Sequence, residues 1–353
     1  MGAILKDVAK LAGVSVATAS QALNNKSVNE ETRRRVLAAA QKLRYVQNSA
    51  GRNLITGRSH TVGLYILNTR TNPDLSSDST YFYPLLRGVL YAGEKAGYSL
   101  NFAVKLWEEL GDGRWITQKA LSHAVDGMII IPQYTYHYGF VQELEQLGFP
   151  YVLISPMDCP DRGKCVSLDD YRGACLATQC LIDAGFTQIG LINGPPNHYD
   201  AIVRQRAFVE TAAKAGVRVN PDWVVPGEFT TESGYRAMRQ ILEEARAPQA
   251  LFCANDFMAA GAMLALDERG LRVPEDVSIV GYDDSEVARS VHPQLTTVRN
   301  PTYQIGEAAM ERLLAYIGGQ SGLAEIVFEP ELVVRGSCRL AASLAQPERV
   351  AGS

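Results

Sequence analysis

Residues 15–24 carry side chains of the types that contact nucleic acid. At helical spacing, Val16, Ala17 and Gln21 share one face, and a surface that grades from apolar to polar suits the edges of bases. Short hydroxyl and amide side chains flank this face, and such groups bind phosphate oxygens. They are Ser15, Thr18, Ser20, Asn24 and Thr32. The segment therefore predicts contact with a nucleic acid.

Three short helices are expected to position these side chains. Apolar residues recur at helical spacing over Leu5–Ala12, Gly13 suits a left-handed turn after that helix, and the Ser15 hydroxyl can cap a second helix. Asn29, also a DNA-binding candidate, can cap a third helix. The pattern is that of a helix-turn-helix unit. The apolar side of the third helix is predicted to be Val36, Leu37, Ala40 and Leu43.

The charge distribution supports an anionic partner for this region. Residues 1–60 contain ten Lys and Arg against three acidic residues, whereas the rest of the chain contains 24 basic and 35 acidic residues. A basic head on an acidic body is typical of binding to an anionic polymer. A three-helix bundle that contacts another protein remains the alternative.

From Thr61 onward the sequence alternates between strands and helices. One series of buried-strand patterns begins with "TVGLYIL", and a second series is predicted to begin at Val166. Repeated β-α units favour parallel sheets covered on both faces, and two series favour two lobes. Ligands of such folds bind at the carboxyl ends of the strands. The long segment "NTRTNPDLSSDSTYFY" is expected to be a solvated loop, and the alternative is that its Asp74 and Asp78 reach into the mouth of the cleft.

Several other classes of protein lack support in the sequence. No GxGxxG or GxxxxGK[ST] follows a strand, "YDDSE" is not a GxSxG nucleophile elbow, and the six cysteines fit no metal-binding spacing. We therefore expect no enzyme activity, no cofactor and no metal. No signal peptide or membrane-spanning run is evident, so a cytoplasmic protein with reduced cysteines is expected.

The segment "DVAKLAGVSVATASQALN", with "NEETRRRVLAAAQKLRYVQN" after it, closely resembles the headpiece of the LacI (lactose repressor) family. "ALFCANDFMAAGAMLALDERGLRVPEDVSIVGYDDSEVA" and "HPQLTTVR" extend the resemblance to about residue 340. It implies an all-α helix-turn-helix headpiece and an α/β, periplasmic-binding-protein-like effector domain of two parallel-sheet lobes. The expected divisions are a headpiece (1–46), a hinge (47–60), lobe one (61–163 and 292–324), lobe two (164–291 and 325–340) and a flexible tail (341–353).

Two positions bear on which DNA the chain would bind. Gln21 stands where the family usually has arginine, and glutamine prefers adenine where arginine prefers guanine. Leu54, in "NSAGRNLITGRS", matches the leucine that family members wedge into the minor groove. A linker in which Leu54 only packs on the body is the alternative.

The resemblance also implies an effector site between the lobes. Arg204, Asp283 and Asn255 match family residues that bind effector hydroxyls, and aromatic residues would cover the apolar side of a sugar ring. Arg204 and Asp283 could instead form a structural ion pair, the phenylalanines could be core, and Asn255 could be a helix cap. The effector candidates are Tyr81, Phe82, His198, Asp200, Arg204, Phe229, Asn255 and Asp283.

Taken together, these features predict a homodimeric repressor that binds a near-palindromic operator in double-stranded DNA. A sugar or sugar derivative is the expected inducer. A corepressor such as a purine is the alternative, although His198 and Asp200 stand where a purine-binding relative would use arginine and threonine. A transport-type sugar-binding protein would share the two lobes, but the basic headpiece argues against that class.

Overall fold

The computed structural model describes residues 3–23, 28–45, 57–68, 75–107, 113–134, 139–157, 159, 161–244 and 246–339, with side chains from Phe82 onward in the helix that begins at Leu75. The described chain divides into two compact units between His60 and Thr61. The second unit thus starts at the same residue as the predicted effector domain.

The first unit contains three helices, α1 (Leu5–Ala12), α2 (Val16–Leu23) and α3 (Glu30–Lys42). Gly13 ends α1 with a left-handed backbone at φ 65°. The Ser15 Oγ accepts the backbone N–H of Thr18 at 3.0 Å, and the Asn29 Oδ1 accepts that of Thr32 at 2.7 Å. The predicted helix-turn-helix and both caps are therefore confirmed.

One predicted core position in this unit is wrong. Leu37 is 50% exposed, whereas Ala39 is buried between Val36 and Ala40. A helix places residues three and four apart on the same side, so Val36, Ala39 and Ala40 face inward together while Leu37 turns outward. Small side chains at these positions allow the three helices to approach closely.

The second unit contains two six-stranded sheets, each largely parallel. Sheet one has the order β11-β5-β4-β3-β1-β2, and sheet two has the order β12-β10-β9-β8-β6-β7. Only the β10–β12 pair is antiparallel among the pairs described. The strands are β1 (Thr61–Asn68), β2 (Ser99–Leu106), β3 (Gly127–Ile131), β4 (Tyr151–Ile154), β5 (Cys165–Leu168), β6 (Ile189–Asn193), β7 (Val224–Pro226), β8 (Ala250–Cys253), β9 (Ser278–Asp283), β10 (Thr296–Arg299), β11 (Ile326–Phe328) and β12 (Glu331–Val333).

Helices cover these sheets, as alternating β-α units require. In chain order they are α4 (Leu75–Lys95), α5 (Arg114–Leu121), α6 (Gly139–Gln146), α7 (Asp170–Asp183), α8 (Tyr199–Lys214), α9 (Thr231–Glu244), α10 (Asp256–Asp267), α11 (Glu286–Ser290) and α12 (Thr302–Ile317). We call sheet one with its helices lobe one, and sheet two with its helices lobe two. The predicted fold class is confirmed.

The chain passes between the lobes a few residues later than the predicted crossings near 163, 291 and 325. Strand β5 belongs to sheet one, so the second series does not begin at Val166. Strand β10 pairs with β9 in sheet two, and β11 pairs with β5 in sheet one. The crossings therefore follow Leu168, Arg299 and Phe328. Short strands carry too little pattern to show which sheet they join.

Two further expectations are corrected. The segment expected to be a loop is helical from Leu75, and Pro84 lies inside α4 rather than at its first turn. Asp74 lies outside the described residues, as does the side chain of Asp78. All six cysteines were expected to be reduced, but in this structure Cys159 and Cys165 are joined by a disulfide. Within the described part of the chain, every helix is too short or too polar to span a bilayer.

Each lobe contains one pair of helices that meet through glycines. In lobe one, a Cβ on Gly88 of α4 would overlap the carbonyl of Tyr303, and one on Gly306 of α12 would overlap that of Leu85. In lobe two, Gly234 of α9 and Gly261 of α10 have the same reciprocal relation. Backbones in such direct contact leave no room for a methyl group.

Candidate functional site

A cavity opens between the carboxyl ends of the strands of the two lobes. The space between the protein atoms there is about 620 Å³, including the open mouth of the cavity. Seven of the eight predicted effector residues line it, and the side chain of Tyr81 lies outside the described residues. The lining residues are Phe82, Ile131, Gln133, Ile154, Ser155, His198, Asp200, Arg204, Phe229, Asn255, Phe257 and Asp283.

Arg204 of α8 is the buried cation of this cavity, with 3% of its side chain exposed. Its Nε and Nη2 donate to the Asp170 Oδ1 at 2.9 and 2.7 Å, and its Nη1 donates to the Ala254 carbonyl at 2.5 Å. The guanidinium also stacks on Tyr282, with Cζ 3.8 Å from the ring centroid. Of its five N–H groups, these bonds use three. The side chain is therefore held in place and keeps two donors for other partners.

The structural ion pair of Arg204 is with Asp170 rather than Asp283. Asp170 is the first residue of α7 and is buried. Burial raises the pKa of its carboxyl to about 6, although Arg204 opposes the rise. Sequence reasoning missed Asp170 because a carboxylate at a helix N-terminus has a sufficient local explanation. The pairing depends on a residue 34 positions away.

Two more carboxylates face the cavity near Arg204. The Asp200 Oδ2 lies 3.9 Å from the Arg204 Nη2, and the Asp283 Oδ1 accepts a long 3.4 Å bond from the amide of Asn300. Burial raises the pKa of Asp283 to about 6 and also raises that of Asp200. Three carboxylates therefore surround one guanidinium. Such a site favours ligands that donate hydrogen bonds and disfavours anions.

Aromatic rings form a second wall of the cavity. Phe229 has an unusual left-handed backbone, φ 61°, and its ring lies flat against Gly194, where a Cβ would overlap it. His198 contacts Phe229 and Tyr134 edge to face, with centroids 4.9 and 5.0 Å away. Burial lowers the pKa of His198 to about 3, so the imidazole is neutral at pH 7. Its buried Nδ1 has no hydrogen-bond partner among the described residues.

Asn255 has the cap role that the sequence left open. Its Oδ1 accepts the backbone N–H of Met258 at 2.9 Å, and its Nδ2 donates to the Phe229 carbonyl at 2.8 Å. The second bond fixes the backbone of Phe229. One amide hydrogen of Asn255 remains for a ligand.

Lobe one contributes polar residues that the sequence analysis did not name. Gln133 and Ser155 follow β3 and β4, and both have positive φ values, 54° and 47°. The buried Oε1 of Gln133 has no partner in the part of the chain that the structure describes. Unusual backbone conformations and unpaired polar atoms are typical of ligand sites. Both residues closely follow predicted strands, and ligands of such folds bind at the carboxyl ends of strands, so their positions could have marked them as site residues.

The lobes also touch directly beside the cavity. The Tyr199 N–H donates to the Gln133 carbonyl at 2.9 Å, and Tyr134 pairs with His198 as an isolated antiparallel bridge. Residues of lobe one are thus hydrogen-bonded to the start of α8, the helix that carries Arg204.

The predicted DNA-contacting face is exposed in the first unit. Val16 is 46% exposed, and Ala17 and Gln21 are also exposed, while Ala19 and Ala22 on the other side of α2 are buried. The hydroxyls of Ser15 and Thr18 lie 2.8 Å apart at the start of the helix. Asn24 and Leu54 lie outside the described residues, and Ser20 and Thr32 are half-buried.

Comparison with protein families gives two matches. Residues 4–48 match the family described as bacterial regulatory proteins, lacI family. Residues 178–338 match a periplasmic binding protein-like domain. The first match corresponds to the helix-turn-helix unit, and the second covers most of lobe two together with α12 and β11 of lobe one.

Similar proteins span almost the whole chain. The HTH-type transcriptional repressor PurR of Pasteurella multocida is 35% identical over 344 residues, 96% of this chain and 99% of the relative. PurR of Haemophilus influenzae is 34% identical over 346 residues, which cover 96% of this chain and 99% of the relative.

Solved structures show the same architecture. A complex of the transcriptional regulator CelR with cellobiose is 32% identical with a TM-score of 0.71, covering 95% of this chain and 99% of the other. The Lac repressor dimer bound to operator and the anti-inducer ONPF is 26% identical with a TM-score of 0.85, covering 97% and 100%. With its helix-turn-helix unit and two-lobed domain, the chain belongs to the LacI family and is a transcriptional repressor.

Proposed function

We propose that a neutral, hydroxyl-rich effector of the sugar class binds between the lobes and controls operator binding. The observation that carries this proposal is the group of Asp200, Asp283 and Arg204 in a cavity walled by phenylalanines. The carboxylates and the two remaining Arg204 donors match vicinal hydroxyls, which both donate and accept. A phosphate or carboxylate on the ligand would meet an excess of negative charge.

The aromatic wall supports the same class of effector. Phe229, whose carbonyl is held by the Asn255 amide, lines the same cavity as the charged groups, and its apolar ring suits the C–H side of a sugar ring. The similar CelR structure holds cellobiose, a neutral disaccharide. We propose induction: the effector weakens operator binding by changing the angle between the lobes. The available energy is the difference in affinity between two states, typically about 1–3 kcal/mol.

A corepressor such as a purine base is the alternative. Phe82 in lobe one and Phe229 in lobe two give the cavity flat apolar surfaces on both lobes, which also suit a planar base. Carboxylates can accept from the N–H groups of such a base. The two proposals predict opposite effects on operator affinity, because a corepressor strengthens DNA binding and an inducer weakens it.

In the proposed complex with DNA, α2 enters the major groove of each half of a near-palindromic operator. The protein acts as a cytoplasmic homodimer, which places the half-sites about one helical turn apart, ~34 Å. Gln21 reads an adenine, and Leu54 wedges into the minor groove at the centre. The hydroxyls near the start of α2 bind phosphates.

A ligand screen followed by operator titration tests these proposals. Neutral sugars, sugar phosphates and purine bases are screened by thermal shift, where a ligand at 100 times its Kd adds about 2.7 kcal/mol of stability. Operator affinity is then measured at one fixed salt concentration with and without each binder. We expect a neutral sugar to bind and to lower operator affinity. A purine that binds and raises operator affinity would establish the alternative, and preference for a sugar phosphate would contradict the charge argument.

A further inference from the structure

A disulfide lies beside the first crossing between the lobes. It joins Cys159, in the segment after β4, to Cys165, the first residue of β5, and their Cα atoms are 6.6 Å apart. That separation lies within the range that disulfides require. The other four cysteines are free. The pairing is therefore specific to this one loop.

The proposed cytoplasmic location, on which the inference rests, makes this pairing informative. Glutathione and thioredoxin keep cytoplasmic thiols reduced, and the disulfides that do form there are usually transient and redox-sensing. Two paired cysteines in that compartment are exposed to reductants as well as oxidants, so both the thiol and the disulfide state are open to them.

Soluble thiols and oxidants can reach the pair through a second cavity. Cys159 and Cys165 both line a space of about 890 Å³, including its open side, that lies between the lobes and shares only Ser155 with the effector cavity. Cys159 is half-buried, whereas Cys165 is 1% exposed. Cys159 is therefore the sulfur that a reagent attacks, and Cys165 is its partner.

The loop is tied to two of the three crossings. Arg312 of α12 donates to the carbonyls of Gly163 and Ala324, and Arg162 pairs with Glu325 at 3.0 Å. These contacts join the loop to the segment that enters β11. On its other side, β5 runs from Cys165 to Leu168.

The same strand leads to the effector cavity. After β5 the chain enters α7, where the Asp169 Oδ1 accepts the Arg172 N–H at 2.9 Å and Asp170 binds Arg204. Only four residues separate Cys165 from the carboxylate that holds the cavity's cation.

We propose that Cys159 and Cys165 form a reversible redox site whose state is transmitted along β5 to the Asp170–Arg204 pair. With hydrogen peroxide as oxidant, the Cys159 thiolate takes one oxygen to give a sulfenic acid and water forms. The Cys165 thiolate then attacks that sulfur and expels the oxygen as a second water, so two thiols and one peroxide give one disulfide and two waters. Two glutathione molecules reverse the step and leave as glutathione disulfide.

Thiol mapping of the full-length protein tests the chemistry. Protein reduced with glutathione and then treated with hydrogen peroxide is alkylated, digested and analysed by mass spectrometry. We expect a cross-linked Cys159–Cys165 peptide after peroxide and two alkylated cysteines after glutathione. Cys159→Ser should abolish the cross-link, and Cys175→Ser, which alters a half-buried cysteine outside the pair, should leave it unchanged. Equal alkylation of both residues in both states would overturn the redox site.

Hydrogen exchange tests transmission along β5. We expect amides of residues 166–172 to exchange roughly fivefold or more slowly in the oxidised protein, because the disulfide restrains the loop that leads into β5. In Cys159→Ser, peroxide should not change these rates. Unchanged rates in wild-type protein whose cross-link has been verified would refute the transmission. Neither measurement uses an effector or an operator. Both therefore test the redox site even if the screen finds no sugar that binds.

Discussion

The two lobes share a layout of sheet and helices but divide the cavity unequally. Lobe one contributes only neutral lining residues, namely Phe82, Ile131, Gln133, Ile154 and Ser155. Lobe two contributes all the ionised groups, Asp200, Arg204 and Asp283, together with His198, Phe229, Asn255 and Phe257. In the proposed complex, we therefore expect lobe two to hold the polar groups of the ligand and lobe one to cover it.

The charged half is prepared before a ligand arrives. Arg204 is fixed by Asp170 and the Ala254 carbonyl, and Asn255 fixes the backbone of Phe229. Such preorganisation lowers the entropy cost of binding. Lobe one instead offers the buried Oε1 of Gln133, which has no partner among the described residues and can accept a hydrogen bond from a ligand. Substitutions in the two lobes should therefore have different consequences.

The largest effect is expected from Arg204→Met. The change leaves the buried Asp170 and the half-buried Asp200 and Asp283 without their cation. Breaking the buried Asp170–Arg204 pair should cost about 3–5 kcal/mol of unfolding free energy. Urea denaturation at pH 7.5 measures the loss. Arg206→Met is the matched control, because Arg206 is exposed on the same helix and should change stability by less than about 0.5 kcal/mol. Equal losses in both variants would contradict the assignment of Arg204 as the centre of the site.

Asp283→Asn should reduce effector affinity while preserving the fold. A hydrogen bond to a charged group contributes about 1.5–3 kcal/mol, so affinity for the sugar found in the screen should fall tenfold or more. Because burial raises the pKa of Asp283, its charge does not stabilise the folded state, and the melting temperature should not drop. Calorimetric titration measures the effector affinity of the variant, and a melting curve on the same protein measures its stability. If the folded variant binds the effector with wild-type affinity, Asp283 does not contact the effector.

Effector binding should weaken at acid pH. The pKa of Asp283 is raised to about 6, and a hydroxyl that donates to this group prefers the carboxylate. Affinity should be constant above about pH 7 and fall by up to tenfold per unit below about pH 6. Titrations at pH 7.5, 6.5 and 5.5 measure this, and Asp283→Asn should flatten the profile. An affinity that rises on acidification would show that the protonated acid is the binding form.

The same carboxyl gives folding stability the opposite pH dependence. Its folded pKa of about 6 lies above the ordinary 3.8, so the folded state binds more protons between these values. The contribution of Asp283 to stability is therefore greatest at low pH and is lost as the pH rises towards 6. Comparison of the urea midpoints of wild type and Asp283→Asn across this window isolates that contribution.

The smallest effect is expected in lobe one, from Gln133→Met. Loss of a neutral hydrogen bond costs about 0.5–1.5 kcal/mol, so effector affinity should fall only severalfold. The stability of the free protein should hold, because the Oε1 of Gln133 has no partner there among the described residues. Gln118→Met, at an exposed glutamine of the same lobe, is the control. If Gln133→Met reduces effector affinity as much as Asp283→Asn does, the two lobes contribute equally to binding and the proposed difference between them is wrong.

Local rules predicted the headpiece and most elements of the lobes. The caps by Ser15 and Asn29 follow from side chains that bond amides three residues on, so the sequence suffices. Strand β5 was assigned to the wrong lobe because its neighbours β4 and β11 are set by sheet topology rather than by its own four residues. Gln133 and Ser155 have no charge to attract notice, and their left-handed backbones arise from the fold.

The glycine contacts within each lobe have a consequence for mutational tolerance. Gly88 and Gly306 in lobe one, and Gly234 and Gly261 in lobe two, each meet a carbonyl of the facing helix. Even alanine at these positions would force the helices apart, although none of the four residues lines the effector cavity. In a saturation library selected for repression, these four codons should tolerate almost no replacement, while the neutral cavity positions of lobe one accept several. The least variable codons of the effector domain would then mark the places where two helices pack backbone to backbone, and not the residues that contact a ligand.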